Sequence, residues 1–197
     1  KQSEITYEAN TLTYTIEKAD KKQLSILFQV SNNDIAFRYE IPKWGETYAC
    51  VVQKEATGFK FPKITKSFLS YMMSPMGGFA RTAPSYESGY VADSEMETNT
   101  AKEGYVFPGL FRVGDRGWAL VSETGVSSQY CASHLSSYIN GVYHVEYPSQ
   151  ENNNGFGSRG AQIGLPGATP WRTITVGETL KPIVETTIPY SVVDPLY

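Results

Sequence analysis

Residues 23–41, QLSILFQVSNNDIAFRYEI, place two strand-like runs on either side of the turn formers Ser31, Asn32, Asn33 and Asp34. In the second run Ile35, Phe37, Tyr39 and Ile41 share one face, and Ala36, Arg38 and Glu40 share the other. This is the period-two signature of a half-buried strand, with the second face wet. The side chains of SNND hydrogen-bond their own backbone or tolerate positive φ, so the chain turns there. Upstream, TLTYTIEK (11–18) sets Leu12, Tyr14 and Ile16 on one face, and the three runs predict an antiparallel meander.

The pattern continues downstream. LFRVGDRGWALVSE (110–123) brackets Gly114-Asp115-Arg116-Gly117 with two strand-like runs, a hairpin signal. GVYHVEY (141–147) alternates with Tyr143, Val145 and Tyr147 on one side, and WRTITVG (171–177) is the last clear strand. Helical periodicity is nearly absent: KSFLSYMMSP (66–75) is short, aromatic and stopped by Pro75, and reads as strand or irregular chain. Eleven Pro, 17 Gly and 14 Tyr spread throughout agree with many strands joined by turns. The expected fold class is all-β, a large antiparallel β-sandwich in one domain. Residues 41–49, 90–105 and 148–160 read as surface loops, the kind of segment that carries function on a rigid scaffold.

Composition narrows the function. Seventeen basic and 20 acidic residues give a net charge of −3, and no Lys/Arg cluster tracks a phosphate backbone, so nucleic acid is not an expected partner. Apolar runs such as SILFQV fall far short of the ~20 residues that cross a bilayer, so no membrane is expected. The chain starts at Lys1 without a charged-then-apolar leader, which implies a secretion signal removed or never present. Cys50 and Cys131 are too few for a disulfide framework and form no CxxC pair; packed thiols are the simpler reading, and a bond is left open.

No GxSxG elbow or HExxH motif occurs, and the two histidines, His134 and His144, read as strand residues. Glu123 in GWALVSETG lies on the same side as Ala119 and Val121, then meets Thr124-Gly125, where the chain must turn. A carboxylate there can reach a metal such as Ca²⁺ or another domain, or stand solvated. Trp44, Trp118, Trp171, Tyr86, Tyr90 and Tyr105 are spread over loops and strand ends. Exposed, such rings stack on sugars, which would make the chain a stand-alone carbohydrate-binding β-sandwich module; buried, they are core.

Four phrases together resemble the amino-terminal domain of family 97 glycoside hydrolases, the bacterial α-glucosidase and α-galactosidase group: NNDIAFRYEIP (32–42), SYESGY (85–90), YVFPGLFRVGDRGWALVSETGVSSQYCASHL (105–135) and LPGATPWRTITVGETLKPIVETTIPYSVVDPL (165–196). The resemblance implies a galactose-mutarotase-like super-sandwich, residues 1–190, with 191–197 starting a linker to a catalytic (β/α)₈ barrel beyond this chain. It also implies a periplasmic or secreted α-glycosidase acting on an oligosaccharide. A family TEA-like or SET-like motif falls on Ser122-Glu123-Thr124, which makes Glu123 the single ligand this domain lends to an active-site Ca²⁺. Trp171, Arg172, Tyr86 and Glu87 become candidates for the sugar site or the domain interface. Trp171 is expected to pack on the sandwich, and Arg172 to pair with an acid at the domain junction. Pro182, Pro189 and Pro195 are expected to hold an extended exit.

Overall fold

A computed structural model describes residues 5–72, 89–98, 101–148 and 160–194. The meander forms as the alternation predicts: β1 (Asn10–Glu17), β2 (Gln23–Val30) and β3 (Asp34–Ile41) pair antiparallel in sequence order. They open a nine-stranded sheet that continues through β14 (Trp171–Gly177), β9 (Gly117–Thr124), β8 (Gly109–Val113), β6 (Thr65–Ser70) and β7 (Tyr90–Glu95), with the short β13 (Gly167–Ala168) also on β3. The GDRG turn joins β8 to β9 as a hairpin, and Lys66–Ser70 of the ambiguous stretch is strand. Among the described residues two smaller sheets form the second layer, β10 (His134–Ile139), β11 (Val142–Glu146) and β5 (Gly58–Phe59) in one, β12 (Ala161–Gly164) and β4 (Ala49–Val52) in the other.

Register decides which side chains meet between the layers. Phe111 pairs with Ala119, Val121 with Ile174, Glu123 with Arg172, and Arg172 with Phe37, so all of these share the inner face of the large sheet. Over β6, β8 and β9 that face buries Leu69, Phe111 and Val121 against Phe59, Leu135, Tyr143 and Val145 of the three-stranded sheet. Phe61 stacks on Phe111 at 4.1 Å between ring centroids, and Tyr143 meets Tyr105 edge-on at 6.1 Å. Near β3, Ile41 joins Ala161, Ile163 and Leu165 in a second cluster, on whose rim both free thiols, Cys50 and Cys131, pack as small apolar groups.

Three expectations change. Residues 90–95 of the supposed surface loop pair with β6 as an edge strand, and the following 3₁₀ turn buries Met96, which supplies the apolar anchor that a solvated loop would lack. The face of β3 carrying Ala36 is not wet: Ala36 and Trp171 are buried with Ile188 and Val192. Those last two come from the carboxy-terminal stretch, which does not run extended through Pro182 and Pro189. It forms two short helices, α1 (Lys181–Glu185) and α2 (Ile188–Ser191), each with its proline in the first turn, where a missing N–H costs nothing. The expected 190/191 boundary therefore falls inside α2, and Pro195 lies outside the described residues.

Asp34 ties these helices to the sheet. Its carboxylate accepts hydrogen bonds from Thr175 Oγ1 at 2.6 Å and Thr186 Oγ1 at 2.7 Å, and Thr124 Oγ1 donates to the Pro189 carbonyl at 2.8 Å. Asp34→Ala leaves the buried Thr175 hydroxyl without this acceptor and should cost about 2 kcal/mol in urea unfolding. A loss within experimental error would show that the carboxylate does not hold the helices.

Candidate functional site

β14 and β9 lie side by side in mid-sheet, so their paired residues Arg172 and Glu123 project together into the space between the layers. Glu55 enters the same space from the connection between β4 and β5. Arg172, fully buried, donates Nε to Glu55 Oε1 at 2.9 Å and Nη2 to Glu55 Oε2 at 2.6 Å, a bidentate fork, and Nη1 to Glu123 Oε2. Burial works against the guanidinium charge, but the hydrogen bonds and charges of Glu55 and Glu123 outweigh it and raise the Arg172 pKa above its ordinary value. Beside this cluster the Tyr130 and Tyr147 hydroxyls bond one another, and burial pushes both upward, Tyr147 to about 12.

Glu123 has further partners. Its Oε1 accepts the Ser133 backbone N–H at 3.0 Å and its Oε2 the Ser133 hydroxyl at 2.7 Å, so only one lone-pair position, on Oε1, is left uncommitted by these bonds. With a guanidinium already against the carboxylate, and no group of three or more His, Cys, Asp or Glu able to hold a metal among the described residues, this donor set does not make a calcium site.

Glu123 is among the residues that line a cavity of about 610 Å³, the one place where the ionic cluster approaches the surface among the clefts described. Its walls include Tyr90, Phe107, Glu123, Ser133, His134 and Pro148. Next to the wall residues Val106 and His134, Tyr105 and Leu135 exchange two backbone hydrogen bonds, and Gly104 beside them has φ +79°, where a Cβ would stand 2.1 Å from the Leu135 carbonyl oxygen. Tyr90 is exposed at the rim, a ring available for stacking.

The residues singled out from sequence are only partly brought together. Glu123 and Arg172 meet directly, and the acids that Arg172 pairs with are Glu55 and Glu123 of its own domain. Trp171 packs on the sandwich, as expected, but buried on the opposite face of the sheet, where the Arg38 guanidinium lies 4.6 Å from its ring centre. Tyr105 is likewise core, so neither ring offers a sugar platform. Tyr86 and Glu87 lie outside the described residues. His134 and His144 sit on strands β10 and β11, and burial raises the Cys131 pKa with help from the Glu123 charge, so it makes a poor thiolate. Sequence reading missed Glu55, which stands in VVQKEATGF without periodicity or motif; only the fold reveals that it faces Arg172.

Comparison with known proteins matches residues 1–195 to the family described as Glycosyl-hydrolase 97 N-terminal. No curated protein matches. Among solved structures, a beta-arabinopyranosidase is 51% identical over 98% of this chain, with a TM-score of 0.92, and the match covers 31% of that chain. A variant of a glycoside hydrolase family 97 enzyme from Pseudoalteromonas sp. strain K8 shares the fold at 22% identity and a TM-score of 0.76, over 97% of this chain and 27% of its own. Another structure of a family 97 enzyme from that strain, in complex with panose, is similar at 22% identity and a TM-score of 0.73, over 94% of this chain and 26% of its own. The chain thus spans under a third of the length of the enzymes it matches.

Proposed function

Because the chain belongs to the N-terminal domains of family 97 glycosyl hydrolases, we propose that it is the non-catalytic part of a glycoside hydrolase, packing on a catalytic barrel of the same polypeptide and helping to wall its sugar site. The observation that carries this reading is the 51% identity to a beta-arabinopyranosidase of which this chain covers 31%. Among the described residues the buried carboxylates Glu55 and Glu123 are paired with Arg172, in keeping with a structural part for this cluster. The cavity beside Glu123, rimmed by Tyr90, is the proposed contribution to the sugar site.

The proposed substrate is an oligosaccharide or glycoside with an α-galactoside-like ring. In the L series a β-arabinopyranoside has the ring stereochemistry of an α-D-galactoside without its exocyclic hydroxymethyl group, and on that form the galactosidase branch of the family and a beta-arabinopyranosidase would share one substrate shape. A periplasmic or secreted location belongs to the same proposal. Calcium enters it only in the whole protein, where Glu123 would offer a single lone pair to an ion held by other residues; this domain alone is not proposed to bind it.

The test is hydrolysis by the full-length protein of p-nitrophenyl α-D-galactopyranoside, β-L-arabinopyranoside and α-D-glucopyranoside. Turnover of the first two above the third is expected, with none from residues 1–197 alone. Hydrolysis by residues 1–197, or inactivity of the full-length protein on all three, would overturn the proposal.

A further inference from the structure

Three clefts adjoin around the 41–49 loop, and none of them shares a wall residue with the cavity beside Glu123. The first, about 400 Å³, lies between Trp44 and the β1–β2 turn. The second, about 450 Å³, shares Gln23 and Pro42 with it. The third, about 460 Å³, shares Pro166, Gly167 and Ala168 with the second and reaches Tyr48 and Gln129. Common walls make the three one surface groove, with an aromatic ring lining its first part and another its last.

The rings are fixed before any ligand arrives. Trp44 Nε1 donates to the Gln23 carbonyl at 3.0 Å, and its half-buried ring packs on the cluster around Ile41. The Thr47 N–H closes a turn on the Trp44 carbonyl at 3.0 Å across Gly45, whose φ is +54°. Leu165 N–H holds the Tyr48 carbonyl at 2.8 Å, and Lys43 Nζ lies 3.8 Å from the Tyr48 ring centre. Lys22 Nζ stands 6.0 Å from the Trp44 ring centre, at the outer limit of a cation–π contact, so it does not seal that ring. The ionic groups of the walls are compensated among themselves: Lys21 bonds Glu17 at 2.8 Å, Lys22 meets Asp20 at 3.2 Å, and Arg38 bonds Glu40 at 2.7 Å. What the groove offers a ligand is therefore uncharged. It consists of aromatic and proline rings and the exposed side-chain amide of Gln129, which has no hydrogen-bond partner among the described residues.

We propose that this groove is a carbohydrate-binding site, taking a neutral oligosaccharide chain whose sugar rings stack on Trp44 and Tyr48 while hydroxyls along the chain bond Gln129. Flat rings and neutral amides suit a sugar, which is apolar on its ring faces and polar at its edge. Paired lysines leave no free cation to hold a uronate, which sets neutral chains above acidic ones. A wall held rigid in advance loses little side-chain freedom on binding. The choice of galactosyl and arabinosyl units for the chain rests on the substrate reading above; the groove itself does not.

The experiment is native gel electrophoresis of the full-length protein through gels containing a neutral arabinogalactan, comparing wild type with Trp44→Ala and Tyr48→Ala. The polysaccharide should retard the wild type, and each variant should bind it several-fold more weakly. No retardation of the wild type, equal retardation of wild type and both variants, or stronger retardation by polygalacturonate would each overturn the proposal. If Trp44→Ala does not fold, Tyr48→Ala decides alone, since its ring is 64% exposed and outside the core. Hydrolysis of p-nitrophenyl glycosides by the wild type separates the two readings. A protein inactive on all of them yet retarded through these rings faults only the proposed function, and an active one whose mobility ignores both rings faults only the groove.

Discussion

Replacing Arg172 with methionine will destabilise the protein by about 3–5 kcal/mol, because it leaves the carboxylates of Glu55 and Glu123 buried without a counter-charge. The side chains of these three residues are 0%, 3% and 6% exposed, so water cannot take over the lost hydrogen bonds. Lysine is no remedy: a point charge cannot satisfy both Glu55 oxygens and still reach Glu123, so Arg172→Lys should recover only part of the loss. The triple replacement Glu55→Leu, Arg172→Met, Glu123→Leu discriminates most sharply. A buried ion cluster exchanged whole for apolar groups of similar size is often neutral or stabilising, so the triple variant should be more stable than Arg172→Met alone. Guanidinium unfolding at pH 7 reads all of these. A single-variant loss below about 1 kcal/mol, the value of a surface pair, would mean that the cluster is solvated in solution.

The same cluster shows where sequence reading reaches its limit. Alternation in DIAFRYEI, LFRVGDRGWALVSE and WRTITVG made strands β3, β8, β9 and β14 legible, because successive side chains of a strand point to opposite faces and the pattern repeats every two residues whatever lies opposite. Register across non-adjacent strands leaves no such trace. β14 inserts between β3 and β9, more than 130 residues after the first, and only that crossover puts Arg172 beside Glu123. Glu55 sits in a connection with no periodicity at all. Glu123 was legible as a carboxylate at a strand end, but not the fact that a guanidinium already occupies it, since a ligand role and an ion pair call for the same residue type. The carboxy-terminal prolines failed for a related reason: proline fixes one dihedral and removes a donor, which suits an extended linker and a first helical turn equally, and burial of Ile188 and Val192 decides between them.

Lowering the pH from about 6.5 to about 4 will destabilise the protein through His134, and His134→Leu will remove that part of the pH dependence. His134 opens β10 with its side chain 8% exposed, facing Glu146, whose carboxylate oxygen is 3.8 Å from Nε2, too far for a hydrogen bond. Its Nδ1 is buried without a hydrogen-bond partner among the described residues. Burial penalises the imidazolium and lowers the pKa from its ordinary 6.5 to about 4. Between those values the unfolded chain binds a proton that the folded chain refuses. Stability is therefore full above pH 6.5, falls with pH through the window, and stops falling from this source once the folded histidine is protonated. The gap corresponds to about 3 kcal/mol. Carboxylates titrate in the same range, so the difference between wild type and His134→Leu in urea unfolding at pH 7, 5.5 and 4.5 isolates the histidine. The wild type should lose more stability than His134→Leu as the pH drops, whichever of the two is the more stable at pH 7. Parallel curves would mean that His134 accepts its proton in the folded state, and that the cavity wall it forms beside Glu123 is wetter than its burial indicates.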